Sequence, residues 1–509
     1  MTTNLRQAAL GGFKWTTVSQ VGQQGIGFAT TFVLARLLVP ADFGLINMAM
    51  IVIGFVNVFR DLGTSSAIIQ RKELSPALLS SVFWANFAFG LVMMVGLAAA
   101  SPAIAAFYHE PRITPIMRVL SLTFFLSCLS TLPLALLQHD LAFDRLARIE
   151  LSASSVGAVV GIGAALLGRG AWSLVYQSLA AMSATTVLLW LMSAWRPGRL
   201  FSWAEVRAVA GYSSNITSFN IFNYFTRNMD NLLIGRFLGA RDLGYYALAY
   251  RLMMLPAENI SAIILRVMFP TYAKLQDDDA RFRRVYLQVS SAIALITFPV
   301  FFGLIAVSKP FILTAFGSQW RPVIPLIVIL GVTGMGQSLE RNTGSIYRVK
   351  GRPDWQLRVG IVSTALFLPA FVLGLRWGVV GVTLAYAVVV ALLTYPTYAI
   401  PFRLIGLRVS ELGAALWRPL ASGALMCAAV VGLGAILPGT WRPQLTLGLL
   451  VSTGVALYLA ASWLVNREQV CRVLGMLRAR WLPARAGGRL ATATGAHGAP
   501  SPGPGLDAP

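Results

Sequence analysis

Charge is scarce in this chain. Only 12% of its 509 residues are Asp, Glu, Lys or Arg, against about 25% in an ordinary soluble domain. Cysteine and histidine are rarer still, at three each. Cys128 and Cys427 fall inside apolar runs and Cys471 lies in the tail, so neither a disulfide framework nor metal-ligand spacing is present. His109, His139 and His497 are scattered outside those runs. There is no glycine loop followed by lysine to cradle a phosphate, and no paired carboxylates in a soluble segment. These gaps exclude the common catalytic constellations, and they imply neither cofactor nor metal. The first ten residues have no apolar core or small-residue cleavage site, so no cleaved signal peptide is expected.

What is present is apolar length. Hydrophobic residues make up 56% of the chain and the mean hydropathy is +0.69. A bilayer core needs about 20 apolar residues per crossing. About 14 runs qualify, from 15–38 to 445–465. The second, 43–60, runs into Arg60 and Asp61, and the seventh, 209–234, is unusually polar. The fold class is therefore an all-α polytopic membrane protein. The formal charge of +22 is spread over loops between runs rather than massed in a patch, which fits an anionic leaflet and not nucleic acid. Groups such as Arg71-Lys72, Arg281/Arg283/Arg284 and Arg348/Lys350/Arg352 recur on alternate loops. That asymmetry places both termini in the cytoplasm.

One stretch occurs twice. Ala35-Arg36-Leu37-Leu38-Val39-Pro40-Ala41-Asp42-Phe43-Gly44 returns as Gly235-Arg236-Phe237-Leu238-Gly239-Ala240-Arg241-Asp242-Leu243-Gly244. Each copy joins one apolar run to the next. A second echo, Gly170-Ala171-Trp172 and Gly378-Val379-Val380, opens the sixth and twelfth runs. Parallel duplication follows, with a site between the halves. The expected units are 1–200 (spans 1–6), 201–405 (spans 7–12), 406–466 (spans 13 and 14) and a disordered cytoplasmic tail, 467–509. Arg36/Asp42 and Arg236/Asp242 either lock the outer mouth between halves or pair within each corner, and local pairing is the simpler expectation. Arg60 and Asp61 either gate the inner mouth or cap a helix end.

Ionisable residues inside a bilayer are expensive and face a protein interior or a wet cavity. Asn220, Asn223, Arg227 and Asp230 form one polar stripe on span 7, at spacings of 3, 4 and 3. Arg251 and Glu258 share a face of span 8, Arg266 follows, and Glu340 and Arg341 lie late in span 10. Gln20 and Gln24 sit one turn apart on span 1. One reading is a hydrated, net-positive cavity for an anionic headgroup. The other is internal pairing, Arg227 with Asp230, Arg251 with Glu258 and Glu340 with a neighbour.

The corner Leu34–Gly44, the run Phe59-Arg60-Asp61-Leu62-Gly63 to Ile69-Gln70-Arg71, and Met268-Phe269-Pro270 resemble polysaccharide transporters of the multidrug/oligosaccharidyl-lipid/polysaccharide superfamily. The likeness is to Wzx-type lipopolysaccharide and exopolysaccharide flippases and covers residues 1–465. It implies two six-helix lobes in a V, plus two C-terminal helices. It also implies alternating-access transport of an undecaprenyl-diphosphate-linked oligosaccharide across the bacterial inner membrane. Membrane lipids, a polysaccharide polymerase and export machinery are the implied partners. Arg227, Arg251, Arg266 and Arg341 would contact the diphosphate, Asn220, Asn223, Gln20 and Gln24 the sugars, and Asp230 and Glu258 a coupling ion. Arg251 matches, by its place in span 8, a cavity arginine of peptidoglycan-precursor flippases; span 2 has no mid-depth arginine to match another. The alternative on the same fold is a multidrug/cation antiporter.

Overall fold

The computed structural model describes residues 2–60, 68, 74–210, 214–438 and 441–481. Every regular element among them is helical. In order they are α1 (Thr2–Leu37), α2 (Pro40–Arg60), α3 (Pro76–Tyr108), α4 (Ile113–Leu120), α5 (Leu122–His139), α6 (Phe143–Leu166), α7 (Trp172–Met192), α8 (Trp203–Ala210), α9 (Ser214–Phe237), α10 (Gly239–Lys274), α11 (Asp279–Ala306), α12 (Ser308–Ala315), α13 (Val323–Val349), α14 (Pro353–Gly374), α15 (Gly378–Arg403), α16 (Val409–Ile436) and α17 (Pro443–Trp481).

Local chemistry sets several of these ends. The Ser75 hydroxyl accepts from the Leu78 amide, and Pro76 follows it in the first turn of α3. The Asp278 carboxylate accepts from the Arg281 amide at the start of α11. Proline also opens α2, and Gly239 opens α10 with φ +84°, the left-handed conformation a sharp corner needs.

Ten stretches are long and apolar enough to cross a membrane, and one of them, Pro353–Arg403, holds both α14 and α15. Three further helices, α1, α9 and α10, have the length, at 36, 24 and 36 residues, but are too polar to count. Their polarity has a location: α1 and α10 carry the residues that border the recess described below, and α9 carries Arg227 and Asp230. With them the arrangement is compatible with fourteen crossings.

Within the first half, α6 packs along α7 and α1, and α3 along α5. Within the second, α13 packs against α10, α11 and α15, and α14 against α15. Helix α16 lies on α11 and α17 lies on α16. The halves meet where α2 crosses α10 and α9. One buried apolar cluster runs through that crossing, from Leu45 and Met48 to Tyr246 and Phe301.

Candidate functional site

The repeated corner is where the two halves touch most closely. Gly44 and Gly244 stand in the second turns of α2 and α10, and each lies against the other copy's backbone. A Cβ on Gly44 would overlap the Ala240 carbonyl, and one on Gly244 would overlap the Pro40 carbonyl. Glycine is required at both places because main chain meets main chain.

Around this contact the halves exchange helix caps. The Arg36 guanidinium crosses to the end of α12, donating to the Ala315 carbonyl at 2.9 Å and also to that of Thr314. In return Trp320 donates its indole N–H to the Ala35 carbonyl at 2.7 Å, and Gln319 donates to Ala35 and Leu38 at 2.9 and 3.0 Å. The last carbonyls of α1 lack partners within their own helix, and the other half supplies donors. Trp320 is fully buried, edge-on to both Phe43 and Tyr245. On the other copy, Arg236 reaches the His109 ring, its Nη1 2.8 Å from Nε2, and lies over Phe107.

Pairing within each corner, the simpler expectation, is not found among the described residues: neither Arg36 with Asp42 nor Arg236 with Asp242 forms an ion pair. Asp42 instead accepts from the Val39 amide at 3.2 Å, spending its carboxylate on its own turn. Beside His109, Arg112 forks onto Glu110 at 2.8 and 2.9 Å, and those hydrogen bonds hold the Glu110 carboxyl below the usual carboxylate range. Asp61 and the side chain of Arg60 lie outside the described residues.

Between α1 and α10 lies a recess of about 220 Å³ lined by Gln23, Gln24, Gly27, Phe28, Arg251 and Leu255. Arg251 is surrounded by protein yet open to solvent, and makes no hydrogen bond or ion pair among the described residues. Gly27 faces the guanidinium, and a Cβ there would stand in ordinary contact, 4.0 Å from it. Gln23, which sequence reasoning passed over, turns its amide to Glu150 of α6 at 2.9 Å and to Ser19 at 2.9 Å. Gln20 is exposed one turn before Gln24 on the same helix.

The other intramembrane charges are arranged differently from either simple reading. Glu258 pairs with Arg341 at 2.6 Å, not with Arg251. Asp230 is 5% exposed and does not pair with Arg227. It accepts from the Tyr246 hydroxyl at 2.6 Å and from the Asn231 backbone and side-chain amides at 2.7 and 3.1 Å. Asn231 in turn accepts from Asn47 of α2 at 3.2 Å, which ties the two halves at mid-depth. Arg227 is exposed, with its charge reaching Tyr250 and Glu340. Asn223 is half-buried on the same helix, and the side chains of Asn220 and Arg266 lie outside those described. The structure thus brings Arg251 and Gln24 together, and Arg227 near Glu340, while Arg341 is neutralised.

Residues 33–325 match the family model described as polysaccharide biosynthesis protein. The chain belongs to this family. Among family relatives, the lipopolysaccharide biosynthesis protein WzxC of Escherichia coli (strain K12) is 31% identical over 86% of this chain and 89% of its own. The succinoglycan biosynthesis transport protein ExoT of Rhizobium meliloti (strain 1021) is 30% identical over 63% of this chain and 65% of its own. In three dimensions the chain is similar to the lipid II flippase MurJ in an inward closed conformation, with a TM-score of 0.70 at 12% identity, covering 90% of this chain and all of that one. An inward-facing multidrug transporter of the same superfamily gives 0.59 at 16% identity, over 77% and 96% of the chains. The family member described here therefore has the fold of that transporter superfamily.

Proposed function

We propose that this family member is a transporter, not an enzyme, and flips a polyprenyl-diphosphate-linked oligosaccharide across the bacterial inner membrane for lipopolysaccharide or exopolysaccharide synthesis. The observation that carries the reading is Arg251, a guanidinium without a partner among the described residues, in an amide-bordered recess between the first and eighth spans. An unneutralised arginine inside a bilayer is retained for a purpose, and its fork matches phosphate oxygens. The lipid tail stays in the bilayer while the headgroup crosses through the recess. A cationic drug would meet the same charge as a repulsion, which disfavours the antiporter alternative.

On this reading residues 1–200 and 201–405 are two lobes that rock about the α2–α10 crossing, with 406–466 as an added helix pair. Basic inner loops put both termini in the cytoplasm and the glycine corner on the periplasmic side. A polymerase and export machinery would take the flipped unit onward.

The test is leaflet-resolved transport of a purified lipid-linked oligosaccharide in proteoliposomes. Losing a hydrogen bond to a charged group weakens an interaction by roughly 1.5–3 kcal/mol. Arg251→Ala should therefore reduce transport about 10- to 100-fold, with Arg251→Lys between it and wild type and membrane levels of both unchanged. Full activity of the alanine variant would falsify the assignment.

A further inference from the structure

One residue of the Arg251 recess is held from behind. Gln23 lines the recess together with Arg251, yet its amide N–H groups donate to Glu150 of α6 and to Ser19, each at 2.9 Å. The buried Ser19 hydroxyl donates to the same Glu150 oxygen. The three groups form a closed set: the carboxylate accepts twice, the hydroxyl donates once and accepts once, and the amide donates both of its hydrogens. The amide nitrogen has nothing left to give, so the polar end that Gln23 offers the recess is its carbonyl oxygen. Glu150 fixes that orientation. Turning the amide over would press its oxygen against a carboxylate oxygen, two acceptors with no hydrogen between them.

The recess therefore makes two opposite demands on a ligand. Arg251 offers donors to phosphate oxygens, whereas Gln23 offers an acceptor that a bare diphosphate, whose oxygens are acceptors themselves, does not satisfy. A hydroxyl or an N-acyl amide on the first sugar supplies the missing donor. A site built to hydrogen-bond a group rejects the analogue that lacks it, because the site's own polar atom is then left unpaired. At about 220 Å³ the recess is smaller than the roughly 300–1,000 Å³ of pockets that enclose a whole drug-sized ligand. It has room for the junction of phosphate and sugar, not for an oligosaccharide.

We propose that Gln23 is a specificity-determining residue that reads a hydrogen-bond donor on the sugar next to the diphosphate, and that Glu150 is the positioning residue that keeps its carbonyl toward the ligand. This rests on the flippase reading and deepens it: the recess tells a loaded lipid carrier from the bare carrier diphosphate.

The test measures binding of two probes to the full-length protein in nanodiscs: undecaprenyl diphosphate, and the same lipid carrying one glucose. Wild type should bind the glucosylated lipid about tenfold more tightly, the worth of one hydrogen bond. Gln23→Leu should bind the two lipids equally. Glu150→Ala frees the amide to turn and should lose most of the preference, while Glu150→Gln, which keeps an acceptor for Ser19 and Gln23, should retain it. Glu150→Ala combined with Gln23→Leu should match Gln23→Leu alone, because Glu150 acts through Gln23. A merely structural Glu150 would instead lower both affinities and leave their ratio as in wild type, which overturns the positioning role. Equal wild-type affinities, or a preference that survives in Gln23→Leu, overturns the whole inference and leaves the flippase reading standing. Gln23→Leu decides this even where Glu150→Ala does not accumulate in the membrane. Arg251→Ala should weaken both lipids and keep their ratio. Wild type that binds neither lipid, or Arg251→Ala that binds both as tightly as wild type, overturns the reading on which the inference rests.

Discussion

At the scale of single residues, the sequence marks which polar groups lie in the membrane but not which of them are free. Arg227, Arg251 and Arg341 look alike as isolated cations in apolar runs. Their fates differ because pairing depends on helix rotation and on neighbours up to 83 positions away, as between Glu258 and Arg341. Spacing along α10 put Glu258 and Arg251 on one face, yet the nearer guanidinium came from α13. Asp230 shows the same limit: three positions from Arg227, it is instead held by Tyr246 and Asn231. Replacing Asp230 with alanine orphans a buried hydroxyl and a buried amide, at about 1–3 kcal/mol each. Asp230→Ala should therefore unfold at clearly lower temperature in detergent, with Asp230→Asn intermediate because its amide oxygen still accepts from Tyr246. If Asp230 also carries a coupling ion, the asparagine variant will keep its fold but lose the response of transport to an imposed ion gradient. Stability equal to wild type in the alanine variant would show that the network contributes nothing.

At the scale of elements, the duplication was legible and its purpose was not. The corner is visible as a repeat because Gly44 and Gly244 are fixed by backbone contact and Asp42 by turn geometry. What the corner touches is a second repeat, Ala106-Phe107 with Arg112 and Ala315-Phe316 with Arg321. That signal is carried by three shared positions and was passed over. It sits in the connections after α3 and α12, and it supplies His109 to Arg236 and the Thr314 and Ala315 carbonyls to Arg36. Arg36 prefers another helix's end to its own for an ordinary reason: cations are favoured at any helix C-terminus, and the α12 end is exposed to it across the gap. The glycine crossing gives the sharpest element-level prediction. Overpacking typically costs about 1–3 kcal/mol, and here the obstacle is backbone, which cannot rotate away. Gly44→Ala and Gly244→Ala should each prevent the α2–α10 crossing from closing, and each should lower export. Gly168→Ala tests the opposite case. Its φ of +71° makes alanine strained there, but nothing lies within contact distance. It should cost some stability and leave the crossing closed.

At the scale of the whole molecule, the inter-half contacts described here lie at the repeated corner or along α2, while α1 and α10 border the Arg251 recess. A protein in that posture is shut on the corner side. Transport by alternation requires the shut side to open, so the exchanged caps must break in each cycle: Arg36 from the α12 carbonyls, Trp320 and Gln319 from α1, and Arg236 from His109. Each hydrogen bond is worth about 0.5–1.5 kcal/mol net, and more where a charge takes part. Removing both arginines should therefore shift the closed-to-open ratio by roughly one to two orders of magnitude. The variant to build is Arg36→Ala with Arg236→Ala in a cysteine-free background carrying Gln24→Cys as a reporter in the recess. With an impermeant maleimide applied only from the periplasmic side, the reporter should be nearly unreactive when the arginines are present and label readily when they are gone. Single variants should fall between, and Arg36→Ala should have the larger effect because its partners are fixed carbonyls on a helix end. Labelling that is the same in all four backgrounds would mean that the glycine crossing alone holds the outer side shut, with the arginines only decorating it.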